Sequence, residues 1–451
     1  MLRRLFILAL LLAAHSVRAQ VQDITFNDTV DITSTTPVAV ATLAVPGTGL
    51  ADVALSAHVY LEGAGFDYDS YVIAICKDSE SGSEVGAAEW RPGDKTPASG
   101  VFEADTLLVT GFLHNVPLPA TFTVCAYKWV GTSPDVTASL RGFNAEAAPV
   151  GTTLGGLEAH GLVEIQVVDS TSWTGLGTLA ADAGAGSDLL LTAHVHVEGL
   201  GLGGGNRYQF GICKETAGGT LVGEAVWRPQ LTANAGAASG DTISLTGFDA
   251  GVSGIVHYVL CGRKFDVSAP TVSVTELGIH SVRAPTNTTA FGVETMGFPT
   301  SATLNSTSFV GAASLGVDGA APYAVRLTAH AYLEGSGFDP NSRYEIGICR
   351  GSASGPMVGR TLWRPLRQTT DTHFIGDTIA LTGYDRDLSG PTTYVLCARK
   401  FDSGAPTVTV YDDGLVATVP EPSGAALALT ALGVLAARGR PRPRRERGTG
   451  A

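Results

Sequence analysis

The chain has 451 residues, 44% of them hydrophobic, with 56 glycines, 22 prolines and a formal net charge of −13. Setting aside Arg3, Arg4 and Arg18 at the start, and six arginines and Glu446 from Arg438 onward, leaves −21 on positions 20–437. So acidic a body excludes nucleic acid and anionic lipid as partners, since both need a positive field, while its apolar content suffices for packed cores.

Arg3 and Arg4, the apolar run from Leu5 to Ala14, and Val17-Arg18-Ala19 before Gln20 predict a secretory signal peptide over residues 1–19. The plain alternative is a short buried helix, which the terminal position and charged start disfavour.

Three passages then repeat at a fixed step. Leu55-Ser56-Ala57-His58 returns as Leu191-Thr192-Ala193-His194 and again, at the same interval, as Leu327-Thr328-Ala329-His330. Trp90-Arg91-Pro92, Trp227-Arg228-Pro229 and Trp363-Arg364-Pro365 follow in register, as do Asp105, Asp241 and Asp377. A period this long predicts three tandem domains, at 20–148, 156–285 and 292–416. The linkers, 144–155 and 285–291, are short and similar, which predicts regularly oriented neighbours in a spacer or contact array.

Within each copy, helical periodicity is nearly absent. Short β-branched and aromatic runs bounded by Gly, Asp, Asn and Pro take its place. In the third copy strands are expected at 324–333, 343–349, 360–363, 378–381, 393–401 and 407–411. Their counterparts in the second copy are 189–197, 208–214, 225–227, 242–245, 257–265 and 271–275. A further strand is expected to open each copy, near 23–26, 162–167 and 302–304. About seven strands per copy predict an all-β fold of three antiparallel β-sandwiches.

Two cysteines per copy in an exported chain predict disulfides in an oxidising compartment: Cys76 with Cys125, Cys213 with Cys261, and Cys349 with Cys397. Metal ligation is the rival, but the cysteines are sparse and lack close spacing. The order Cys, Trp, Cys resembles the immunoglobulin-like pattern, with a looser spacing. That resemblance implies a disulfide tying two sheets and a tryptophan packed against it, in an Ig-like or fibronectin-like sandwich.

Several polar residues recur. His58, His194 and His330 precede Glu62, Glu198 and Glu334 by four positions. In a strand that places them ~13 Å apart, too far to share an ion, and favours structural roles. The glutamates are expected to pair with Arg91, Arg228 and Arg364 across a sheet. His194 and His196 could reach one ion, but Tyr60 and Tyr332 stand in place of His196 in the other copies. Gly199-Leu200-Gly201-Leu202-Gly203-Gly204 matches a dinucleotide fingerprint, yet a strand rather than a helix follows it, so the glycines are read as a bend. Asp67 with Asp69, and Asp339 with Asn341, carry oxygen ligands that suit calcium; otherwise no cofactor and no metal site are expected. Trp90, Trp227 and Trp363, each followed by arginine, are candidate contacts for a sugar or carboxylated polysaccharide, with core packing as the alternative.

The chain closes on Val419-Pro420-Glu421-Pro422-Ser423, an apolar run at 424–437, and the arginine cluster. A helix over that run spans ~21 Å, short of a ~30 Å bilayer core, and the arginines would stay cytoplasmic. The three-part order, residues 419–451, resembles the PEP-CTERM sorting signal of Gram-negative bacteria. The resemblance implies transient inner-membrane tethering, processing by an exosortase near Pro420, Glu421 and Pro422, and delivery to the cell surface or extracellular matrix. An ordinary short tail anchor is the alternative.

No nucleophile elbow, zinc-protease motif or phosphate loop is present. The expectation is therefore a non-catalytic exported surface or matrix protein, structural or adhesive. The alternatives are a multivalent array binding exopolysaccharide and a polysaccharide-active enzyme.

Overall fold

The computed structural model describes residues 17–22, 29–66, 69–92, 102–159, 166–203, 205–229, 238–285, 290–297, 299–319, 323–339, 342–365 and 374–419. Strands fill most of them, and no helix occurs among them. Ser16–Pro420 forms one compact unit. The expected signal peptide lies outside the described residues up to position 16, and Val17–Gln22 is a strand. The expected sorting tail lies outside them from Pro420 onward, including the apolar run 424–437.

The second copy shows the architecture most plainly. One sheet orders Thr174–Asp182, Ile255–Lys264, Tyr208–Lys214 and Leu221–Trp227. The other orders Ala238–Val252, Ser187–Leu200, Val272–Pro285 and Leu154–Ala159, with Gln166–Val168 also pairing to the third of these. Every pairing is antiparallel. The third copy repeats both sheets with Tyr323–Ser336 as the central strand of its larger one. In the first copy, Val38–Ala64 and Phe102–Lys128 run 27 residues each and join all its strands into one seven-stranded sheet.

Alternation builds each core. Leu191, Ala193, Val195 and Val197 face Tyr208, Phe210, Ile212 and Trp227 across the two layers, with inner faces meeting as in a sandwich. The sequence reading missed Thr174–Asp182 and Val310–Val317, whose glycines, alanines and serines weaken the strand pattern.

All three disulfides form as expected, with Cα–Cα distances of 6.0–6.2 Å. Their placement corrects the immunoglobulin comparison. Cys213 lies opposite Val259 and Cys261 opposite Gly211 on adjacent strands of one sheet, so the bridge does not tie two sheets. Tyr208, Phe210 and Ile212 turn inward and Cys213 turns outward. Trp227 is on the inner side, 5.5 Å from the ring of Tyr208 and away from the bridge.

The central strands are buried on both faces. Along Leu189–Val197 every residue is buried, although polar Thr192, His194 and His196 alternate with the apolar ones. The polar face is covered by the neighbouring copy. Thr110 meets His194, Thr246 meets His330 and Thr382 meets His58. Copy one therefore touches copy two, two touches three, and three returns to one. The copies are regularly oriented, as a spacer or contact array would have them, and they close into a ring. The linker reading is also corrected: strand Val136–Pro149 runs through the first half of the first linker, and Leu154–Ala159 begins at its end.

Candidate functional site: the axis and junctions of the ring

Each copy contributes an Asp-Thr pair to the ring axis. Asp105, Asp241 and Asp377 offer carboxylate oxygens that all lie within 4.8 Å of one another. Each accepts the amide of the threonine that follows it, at 2.6, 2.8 and 2.7 Å. The threonine then reaches the preceding copy. Thr242 Oγ1 donates to the Glu89 carbonyl at 2.8 Å, Thr378 Oγ1 to Val226 at 2.7 Å, and Thr106 Oγ1 to Leu362 at 3.0 Å. These acceptors lie one residue before each Trp-Arg-Pro.

Three acids so close cannot all ionise cheaply. Burial, then the charges of Asp377 and Asp241, hold Asp105 well above the usual carboxylate range. Burial followed by Asp377 does the same for Asp241, and burial pushes Asp377 up to about 6. Oxygen donors of this kind suit a hard divalent cation, and burial with mutual repulsion favours the protonated form of Asp105 and Asp241. A cavity of about 20 Å³ adjoins them, lined in part by Trp90, Trp227 and Trp363, room for about one water.

The Trp-Arg-Pro motif divides its work. Trp90, Trp227 and Trp363 are 4%, 2% and 2% exposed and pack on Tyr71, Tyr208 and Tyr344 at 5.4–5.6 Å. The arginine crosses to the next copy: Arg91 pairs with Glu198 at 2.6 Å, Arg228 with Glu334 at 3.5 Å, and Arg364 with Glu62. The expected arginine–glutamate pairs exist, shifted one copy around the ring. Backbone bridges Arg91 to Gly240, Arg228 to Gly376 and Arg364 to Ala104 reinforce them, and the proline, lacking an N–H, ends the strand.

The histidines clasp the junctions. His194 Nδ1 accepts the amide of Thr110 at 3.2 Å and its Nε2 donates to the Ala87 carbonyl at 2.8 Å. His330 repeats this with Thr246 at 3.1 Å and Glu224 at 2.9 Å. An imidazole that accepts at Nδ1 is neutral. Burial accordingly pushes His330 down to about 4, and burial with the charge of Arg141 pushes His58 down to about 3. Gly142, Gly278 and Gly414 lie beneath the rings, where a Cβ would collide with the histidine and the threonine hydroxyl. His196 binds Thr242 and faces Glu89 at 3.5 Å, so it does not share an ion with His194.

Gly65, Gly201 and Gly337 adopt φ of +82°, +66° and +74°, the bend expected in place of a dinucleotide loop. For the calcium reading, Asp67 and Asn341 lie outside the described residues. Asp69 is buried, and Asp339 bonds Ser342. Sequence reasoning missed the aspartate cluster, although the fixed step separating Asp105, Asp241 and Asp377 was its signal.

No family model matches the chain, and no curated protein matches it. Among solved structures it is similar to PNGase F, a glycosylasparaginase from Flavobacterium meningosepticum, at 9% identity and a TM-score of 0.29, over 60% of this chain and 97% of that one. It is also similar to PNGF-II at 7% identity and 0.26, over 82% and 99%. Tandem CBM51 modules of a family 98 glycoside hydrolase from Streptococcus pneumoniae follow at 10% and 0.16, over 58% and 87%. This corrects the expectation of a non-catalytic chain, because the solved structures it is similar to include an enzyme. At such TM-scores no residue, substrate or reaction is carried across.

Proposed function

We propose that the chain is an exported protein of a Gram-negative cell surface or extracellular matrix, structural and adhesive in role. It reaches that place through the signal peptide at 1–19 and exosortase processing near Pro420, Glu421 and Pro422. The observation that carries the reading is the ring itself: three modules, each with a buried disulfide, closed by main-chain and side-chain contacts between first and third copies. Disulfides of this kind persist in oxidising compartments, and an acidic body stays soluble outside the cell.

The test is expression in a bacterium with an exosortase, followed by fractionation and mass spectrometry of the mature termini. Surface or matrix material starting near Gln20 and ending near Pro420 is expected. A cytoplasmic protein with free thiols would refute the reading. Burial of the three tryptophans removes the basis for three equivalent sugar sites. What supports a carbohydrate role is the cleft where the third copy meets the first.

A further inference from the structure

The three junctions share the threonine–histidine contact and the arginine–glutamate pair but differ beside them. Where the third copy meets the first, a cleft of about 470 Å³ opens, lined by Tyr60, Phe102, Arg141, Arg343, Arg360 and Phe401 among others. That volume is in the roughly 300–1,000 Å³ range of small-molecule sites. At the first-to-second junction the equivalent positions of the three arginines hold Leu277, Ser70 and Ala87. At the second-to-third junction they hold Asp413, Arg207 and Glu224. The arginine trio thus belongs to the closing junction alone.

The cleft's charge runs against the rest of the chain. Its lining holds Arg343 and Arg360, the buried Arg141 5.8 Å from the Tyr60 ring, and one carboxylate, Glu62, in a body of net −21. The arginines are held in place from behind. Arg343 makes a two-pronged pair with Asp402 at 2.8 Å on each arm, and Arg360 and Arg399 share Glu345. Arg364 takes Glu62 itself. Phe102 and Phe401 stay 45% and 36% exposed at this cleft. Arg343 lies 4.5 Å from the Phe401 ring and Arg364 5.5 Å from Phe102, so aromatic faces and guanidinium groups alternate along it.

We propose that this cleft binds one carboxylated saccharide. Sugar rings stack on exposed aromatic faces, and a carboxylate suits guanidinium forks. Thr137 and Glu62 stand beside them as partners for hydroxyls. The inference deepens the carbohydrate role above and rests on the extracellular placement only for access to the ligand.

The test is calorimetric titration of the full chain with a galacturonic acid tetramer, its fully methyl-esterified form, and inorganic sulfate. The acid tetramer is expected to bind one per chain, at least tenfold tighter than the ester or sulfate. Arg343→Ser and Arg360→Ala place residues of the first copy in the cleft, and Phe102→Ala places one of the second; tenfold, tenfold and about fivefold losses are expected. Equal affinity for the ester or sulfate, three sites per chain, no saturable binding, or folded variants that bind like the wild type would each overturn the proposal. Should a variant fail to fold, the three ligands on the wild-type chain decide alone. Surface-located protein that binds no acid tetramer loses only this proposal; cytoplasmic protein with free thiols loses the placement and leaves the titration standing.

Discussion

Thr110 of the first copy donates its backbone amide to His194 of the second at 3.2 Å, and the other nitrogen of that ring bonds Ala87 two strands away at 2.8 Å. One imidazole thus satisfies two backbone groups of a neighbouring module. His194→Ala leaves both groups buried without their partner, at a cost of about 3 kcal/mol. His257→Ala, at a half-exposed position, is expected to change stability little. Denaturant unfolding of the two variants compares them.

The glycine beneath that ring is expected to be as sensitive. Gly278→Ala sets a methyl against His194, Thr110 and Glu158. Overpacking of this kind costs about 2 kcal/mol. Gly218→Ala, where a Cβ meets open space, serves as the control in the same unfolding assay.

Stability is expected to fall at both ends of the pH scale, for opposite reasons. Folding raises the pKa of Asp377 from 3.8 to about 6 through burial. Its contribution is present below 3.8 and is lost as pH rises through about 6. Folding lowers His330 and His58 from 6.5 to about 4 and about 3. Their contribution is present above 6.5 and is lost as pH falls through those values. Asp377→Asn keeps an oxygen for the Thr378 amide and removes the charge. It is expected to raise Tm at pH 8 and leave it nearly unchanged at pH 4, as calorimetry across pH would show.

Removing one bridge by Cys213→Ala with Cys261→Ala frees a separation of 48 residues. In the chain-entropy model this costs roughly 4 kcal/mol. Thermal unfolding of the double variant beside the wild type measures it.

The modules were legible in the sequence because their signals are local and repeated. Cysteine spacing gave the bridges, and runs such as Tyr208–Lys214 gave strands. The ring was not legible. His194 belongs to a different copy from Thr110 and Ala87, and the alternation of Thr192, His194 and His196 does not say which neighbour buries that face. Trp227 and Arg228 are adjacent in the chain, yet one packs in its own core and the other pairs with Glu334 of the next module. A motif so divided reads as one site when only its spacing is known.

Ring closure is tested most directly by small-angle X-ray scattering of the processed chain in dilute solution. A closed unit of about 400 residues is expected to give a radius of gyration of about 21 Å. Three separate modules of about 130 residues, each of about 14 Å and strung end to end, would give well over about 30 Å. The smaller radius is the predicted result, and the larger one would contradict the closed ring.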